Sequence, residues 1–240
     1  MNHQPLLGSF FRSGRPARIG SVGLLTLFVA GLWVGCGSSP VAHSTAEEES
    51  PSAAERWQRL EKRLLAADKV SFGYDIKSTG ALATVLQGTA TWRGDGGVLL
   101  TGSGLFGDQA VELDLTSADG RMAGGSAAGR FDEETPPALA EALALGLTRM
   151  GLLHNLARLT AGWSPDHAAT GVGDWLRMEQ LEPVARGGIR FQLLVEGSPA
   201  GVGTLWLDDR GLPFERHQTV QFSGGGMKVV ERYTDFVIEP

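Results

Sequence analysis

From residue 53 to residue 240 the hydrophobic positions follow two periods. Trp57, Leu60, Leu64 and Leu65 recur at helical spacing. Ser52 stands before them with Glu55 three positions on and Pro51 just ahead, the signature of a capping box. This predicts an amphipathic helix over 53–68. From Val70 the period becomes two. Val70, Phe72, Tyr74 and Ile76 alternate with Ser71, Gly73, Asp75 and Lys77. Strand-like runs follow at 82–93, 98–101 and 111–116, separated by Gly94-Asp95-Gly96-Gly97 and Asp119-Gly120. A second set covers 189–195, 204–207, 213–222 and 227–238. Each run has one apolar and one wet face, as in an antiparallel meander.

Between the two strand sets the helical period returns. Thr135 with Pro136 and Pro137 marks a helix start, and 138–160 reads as helix with a break near Gly151. Leu139, Leu143, Leu147 and Met150 form one stripe, and residues 138–147 hold a single charge, Glu141. A helix apolar nearly all round must be covered on most sides. The expected fold class is α+β: a strongly curved antiparallel sheet, a half-barrel, with an N-terminal helix and an inserted helix across its open apolar face.

The first fifty residues read differently. Arg12, Arg15 and Arg18 precede an uncharged apolar run from Ile19 to Val34, which ends at Gly35 and Cys36, the sole cysteine of the chain. A lone thiol makes no internal disulfide. The basic stretch, the short apolar core and the small residues describe a secretory signal. Val34-Gly35-Cys36 resembles a bacterial lipobox, although Trp33 stands where a small aliphatic residue is usual. That resemblance implies a signal peptide over 1–35 and lipid attachment at Cys36. Residues 36–52 are rich in Ser, Pro, Ala and Glu and read as a flexible tether. The folded domain is then 53–240. The expected location is the cell envelope, and Gly37 after the cysteine favours the outer membrane facing the periplasm by resemblance to sorting rules.

Charge narrows the partners. Three of the 21 basic residues and none of the 27 acidic ones lie in 1–35, so the mature chain carries 18 against 27, a net of −9. That argues against nucleic acid and against a basic patch docking on anionic lipid. With one cysteine and no Cys/His cluster, neither a structural metal site nor a cofactor is expected. Gly102-Ser-Gly-Leu-Phe-Gly107 fits G-x-G-x-x-G, but a strand-like run follows it, not the helix a dinucleotide site needs. His154, and Asp166-His167 with Asp174, match no catalytic spacing, and no G-x-S-x-G elbow is present. No catalytic residue is assigned and the chain is not expected to be an enzyme. Of Trp57, Trp92, Trp163, Trp175 and Trp206 most are read as core, including Trp163 and Trp175, which flank a loop after the inserted helix.

Four stretches carry a resemblance. Gly88-Thr-Ala-Thr-Trp92, Leu99-Leu-Thr-Gly-Ser-Gly-Leu-Phe-Gly107, the helix segment 147–162 and the closing Glu231–Ile238 are similar to the LolA/LolB-like superfamily, closest in look to LolB. Mycobacterial lipid-binding lipoproteins and MucB/RseB-type regulators share that fold. The resemblance implies a monomer that takes a lipid, or the acyl chains of a lipoprotein, into an apolar cavity. The residues expected to line it are Phe72, Tyr74, Leu86, Trp92, Leu139, Leu143, Leu147 and Met150. It also implies a loop tip at Leu105 and Phe106 that meets membrane or cargo, with Gly104 where the family has proline. The alternative is an envelope sensor or protein-interaction module of MucB/RseB type on the same scaffold.

Overall fold

A computed structural model describes residues 50–126, 129–137, 139–160, 176–195, 197–222 and 225–240. Cys36, the expected signal and the expected tether up to residue 49 lie outside these residues, as do Trp163, Asp166, His167, Asp174 and Trp175.

Helix α1 (Ala53–Leu65) starts at the predicted box: Ser52 Oγ accepts from the Glu55 N–H while the Glu55 carboxylate accepts from the Ser52 N–H at 2.8 Å. Six strands follow as a meander: β1 (Lys69–Gly80), β2 (Thr84–Arg93), β3 (Val98–Phe106), β4 (Gln109–Ala118), β5 (Arg121–Ser126) and β6 (Gly129–Glu134). Helices α2 (Leu139–Arg149) and α3 (Leu152–Thr160) come next, broken at Gly151 as the sequence predicts. A second meander completes the unit with β7 (Leu176–Val184), β8 (Gly188–Val195), β9 (Ser198–Leu207), β10 (Pro213–Phe222) and β11 (Gly225–Glu239).

All eleven strands form one antiparallel sheet, in the order β6-β5-β4-β3-β2-β1-β11-β10-β9-β8-β7. The two meanders join where β1 pairs with β11, Lys69 opposite Glu239 and Gly80 opposite Met227. The sheet is open, with β6 and β7 as its edges. Those edge strands flank α2 and α3 in the chain, so the helical segment is the connection between the two edges. Alternation sets the faces: Val70, Phe72, Tyr74 and Ile76 of β1, with Leu86, Ala90 and Trp92 of β2, are buried on the inner face. Their neighbours Asp75, Gln87 and Thr89 lie on the outer, polar face. The α+β half-barrel expected from the sequence is the architecture found.

Several elements depart from the sequence pattern. Strand β3 runs on to Phe106, through the glycines that read as a loop. Those glycines serve packing. A Cβ on Gly88 or on its partner Gly102 would come within 2.6 Å or 2.5 Å of the Tyr74 hydroxyl, which lies across both and donates to Thr101 O at 2.6 Å. Strands β5, β6 and β7 show no alternation to predict them. β6 is exposed apart from the half-buried Phe131, and β7 carries Glu179, Gln180, Glu182 and Pro183. Both are the edges of the sheet, where polar residues and proline discourage further pairing.

Candidate functional site

The inner face holds one main apolar cluster, and seven of the eight residues expected to line a cavity belong to it: Phe72, Tyr74, Leu86, Trp92, Leu139, Leu143 and Leu147. Phe72 is its aromatic centre, stacked on Phe236 at 4.7 Å and edge-on to Trp92 at 5.7 Å and Tyr233 at 5.6 Å. Met150 is half-buried and packs on a smaller cluster of Ala142, Leu145 and Leu193. Helix α2 therefore lies between two apolar groups. Its Leu139, Leu143 and Leu147 face the main cluster, and its Ala142 and Leu145 face the β8 side. Eight of its eleven residues are buried. At the N-terminal end of α2 a cleft of about 720 Å³ opens between the β2–β3 turn, the β4–β5 turn and the helix start, with Val98, Leu99, Leu139 and Ala140 among its walls.

What secures α2 and α3 is polar. Arg216 of β10 is buried, and its guanidinium donates to the Leu147 carbonyl at 3.3 Å and to the Thr148 and Arg149 carbonyls, the last turn of α2. Nε and Nη2 also donate to Gln218 Oε1 at 3.0 and 2.8 Å, and the guanidinium lies 4.9 Å from the Phe191 ring centre. Glu231 of β11, equally buried, accepts from the N–H groups of Leu152 and Leu153, the start of α3, at 3.0 and 2.9 Å, and from the Tyr233 hydroxyl. A cation thus meets a helix C-terminus and an anion a helix N-terminus, the arrangement the helix dipole favours. Burial pushes the Tyr233 hydroxyl well above its usual range, with the Glu231 charge adding to it. Burial also lowers the Arg216 guanidinium, against the pull of Tyr233 and Glu231. Gly151 sits between the helices at φ +90°, where a Cβ would come within 2.8 Å of Glu231 Oε1. On the far side α2 is tied to α1: Glu61 accepts from Thr148 Oγ1 at 2.9 Å and, through both oxygens, from Arg149 at 2.8 and 3.0 Å.

Arg216, Gln218 and Glu231 escape the sequence reading, although a signal exists. Along β11 the inward row reads Val229, Glu231, Tyr233, so a carboxylate interrupts an apolar face. Along β10 the inward row carries Arg216 and Gln218 before Val220. Three buried polar atoms have no partner among the described residues: Thr84 Oγ1, Trp92 Nε1 and Gln218 Nε2.

Leu105 and Phe106 fall at the end of β3 on opposite faces. Leu105 is 49 % exposed beside Val85, also 49 %, whereas Phe106 is buried in the main cluster. The exposed apolar pair expected there is therefore Leu105 with Val85, because period-two alternation turns Phe106 inward. Among the described residues no three His, Cys, Asp or Glu side chains are grouped to hold a metal. Nor is any helix among them long and apolar enough to cross a membrane.

The fold and site define an open antiparallel half-barrel whose apolar face is covered by the helices α2 and α3. No family model matches the sequence, and no curated protein matches it. Similar solved structures include LprF from Mycobacterium bovis, at 9 % identity and TM-score 0.37, covering 77 % of this chain and 92 % of that one. A LolA superfamily protein, NE2245 from Nitrosomonas europaea, is 8 % identical with TM-score 0.34 over 80 % of this chain and 95 % of its own. A beta-barrel-like protein from Brucella abortus is 11 % identical with TM-score 0.30, covering 73 % and 100 %. The second carries the superfamily name that the sequence motifs suggest. Superpositions this loose carry no functional weight, which rests on the interior and the helices that cover it.

Proposed function

We propose that the protein is a membrane-tethered lipid carrier or receptor that takes an acyl chain, of a lipid or of a lipoprotein, between the sheet and α2 without chemistry. One observation carries this reading. Helix α2 is apolar on nearly every side, yet its polar fastenings to the sheet and to α1 lie at its C-terminal end. Its N-terminal end borders the 720 Å³ cleft. A chain entering there slides along Leu139, Leu143 and Leu147 and exchanges one apolar neighbour for another. Each methylene leaving water contributes about 0.8 kcal/mol, offset by ordering and association costs, which permits release. Trp92, whose strand partner Val98 lines the cleft, has a buried N–H without a partner among the described residues, and an ester or carboxylate head would supply the acceptor. Leu105 and Val85, at the opposite end of the sheet, are offered to cargo. The anchor is Cys36, whose thiol takes the lipid and which removal of residues 1–35 leaves as the first mature residue, and the setting is the outer membrane facing the periplasm.

The test is lipid analysis of protein purified without detergent. Mass spectrometry is expected to find an acylated molecule in near-stoichiometric amount, and Trp92→Phe to reduce its retention. Lipid-free protein, or a stoichiometric protein partner in its place, overturns the reading and favours the sensor alternative.

A further inference from the structure

The net negative charge hides a local positive one. At the end of the sheet where β1 begins, Arg56, Arg59 and Arg63 of α1 face the β7–β8 turn with Arg186 and the β9–β10 turn with Arg210, around a cleft of about 380 Å³. Its acids are Asp208 and Asp209. Asp208 is committed internally: it accepts from the N–H groups of Arg210 and Leu212, both at 2.9 Å, and pairs with the Arg210 guanidinium. Arg56 donates to the Gly187 carbonyl and Arg63 to the Arg210 carbonyl at 2.8 Å, both neutral acceptors, and among the described residues neither arginine makes an ion pair. Among the described residues Arg59 and Arg186, both exposed, make no ion pair, although the Arg59 charge acts on Glu55 one helical turn before it.

We propose that this arginine cluster binds the phosphate groups of anionic phospholipid at the membrane surface. Guanidinium donors match phosphate oxygens in pairs, and the weak hydration of the group lowers the cost of contact. Position supports the choice of partner. Pro51 lines the same cleft, so the chain enters the folded unit there. Cys36 is then within about 50 Å of it even at full extension. The turns β2–β3 and β4–β5, which border the cleft at the start of α2, belong to the same end of the sheet. Headgroup contact would therefore present the acyl entrance to the bilayer. The membrane itself is taken from the proposed function; the arginine contact does not depend on what α2 covers.

The test compares the full chain, purified from membranes and reconstituted into vesicles of phosphatidylcholine alone or of equal parts phosphatidylcholine and phosphatidylglycerol. Amide hydrogen exchange in 185–187 and 208–211 is expected to slow only in the anionic vesicles, and less so at high salt. Loss of two guanidiniums in Arg59→Gln/Arg186→Gln should weaken the contact about thirtyfold and abolish that protection, with an unchanged melting temperature as the folding control. Equal exchange in both vesicles, or protection that the double variant keeps, overturns the proposal. Equal exchange would point to the acidic run Glu47–Glu49 as the occupant. Mass spectrometry of acyl lipid retained by the protein before reconstitution separates the two readings: bound lipid without headgroup-dependent protection sinks the arginine contact alone, and protection without bound lipid sustains it.

Discussion

Two helix starts in this protein are capped by the same chemistry in opposite surroundings. At α1 the acceptors are Ser52 and Glu55, neighbours in sequence and exposed to water. At α3 the acceptor is Glu231, nearly eighty residues away and buried with Arg216. The first cap is local and replaceable, because water satisfies the same N–H groups when it is lost. The second is a tertiary contact in a site that excludes water, so its loss strands both the N–H groups and the arginine. Helix α1 would find its place by its Trp57, Leu60 and Leu64 stripe alone. Helices α2 and α3, apolar on several sides, have no single preferred face, and the charged joint fixes which way they lie.

The largest effect is expected from Glu231→Ala. Breaking a buried charge cluster by removing one partner costs about 3–5 kcal/mol, read as a large fall in denaturant midpoint. Replacing both members, Arg216→Met with Glu231→Leu, should restore much of the stability while leaving α2 less uniquely placed. A loss for Glu231→Ala no greater than for a surface residue would erase the distinction between the caps. Ser52→Ala should cost about 1 kcal/mol by thermal melting, and a cost near that of Glu231→Ala would erase it from the other side. The smallest effect is with pH. Hydrogen bonds from the Ser52 N–H and hydroxyl hold the Glu55 carboxyl below its ordinary value of 4.5. A group lowered on folding stabilises above its unfolded pKa and loses that contribution as pH falls through its folded one. Protection of the first turn of α1, taken relative to the intrinsic exchange rate at each pH, should therefore fall below about pH 4.5, and Glu55→Gln should remove the dependence.

How far the sequence could be read follows from where each signal lies. Helix α1, the alternating strands β1, β2 and β4 and the break at Gly151 rest on contacts within a few residues, so spacing shows them. Edge strands β6 and β7 carry no such pattern, because one flank of each lacks a strand partner and they bury few side chains. Gly102 looked like loop because what uses it, Tyr74, is a strand pair away, and Gly104 because what crowds it is the Val85 backbone on the neighbouring strand. The expected lining residues were legible as an apolar face, and seven of them gather in one cluster. Arg216 and Glu231 were visible only as interruptions of a face, and nothing local names their partners.

By itself the sequence determined the class of fold, the two meanders and the apolar helix between them, since hydrophobic periods of two and 3.6 are set by backbone geometry. Tertiary structure alone decided which charges meet. A chain with six more acidic than basic residues nonetheless gathers arginines from α1 and two distant turns at one end, and buries Arg216 and Glu231 under its helical strap. Net charge is a sum over the chain, whereas electrostatic contact falls with distance, and only folding sets the distances.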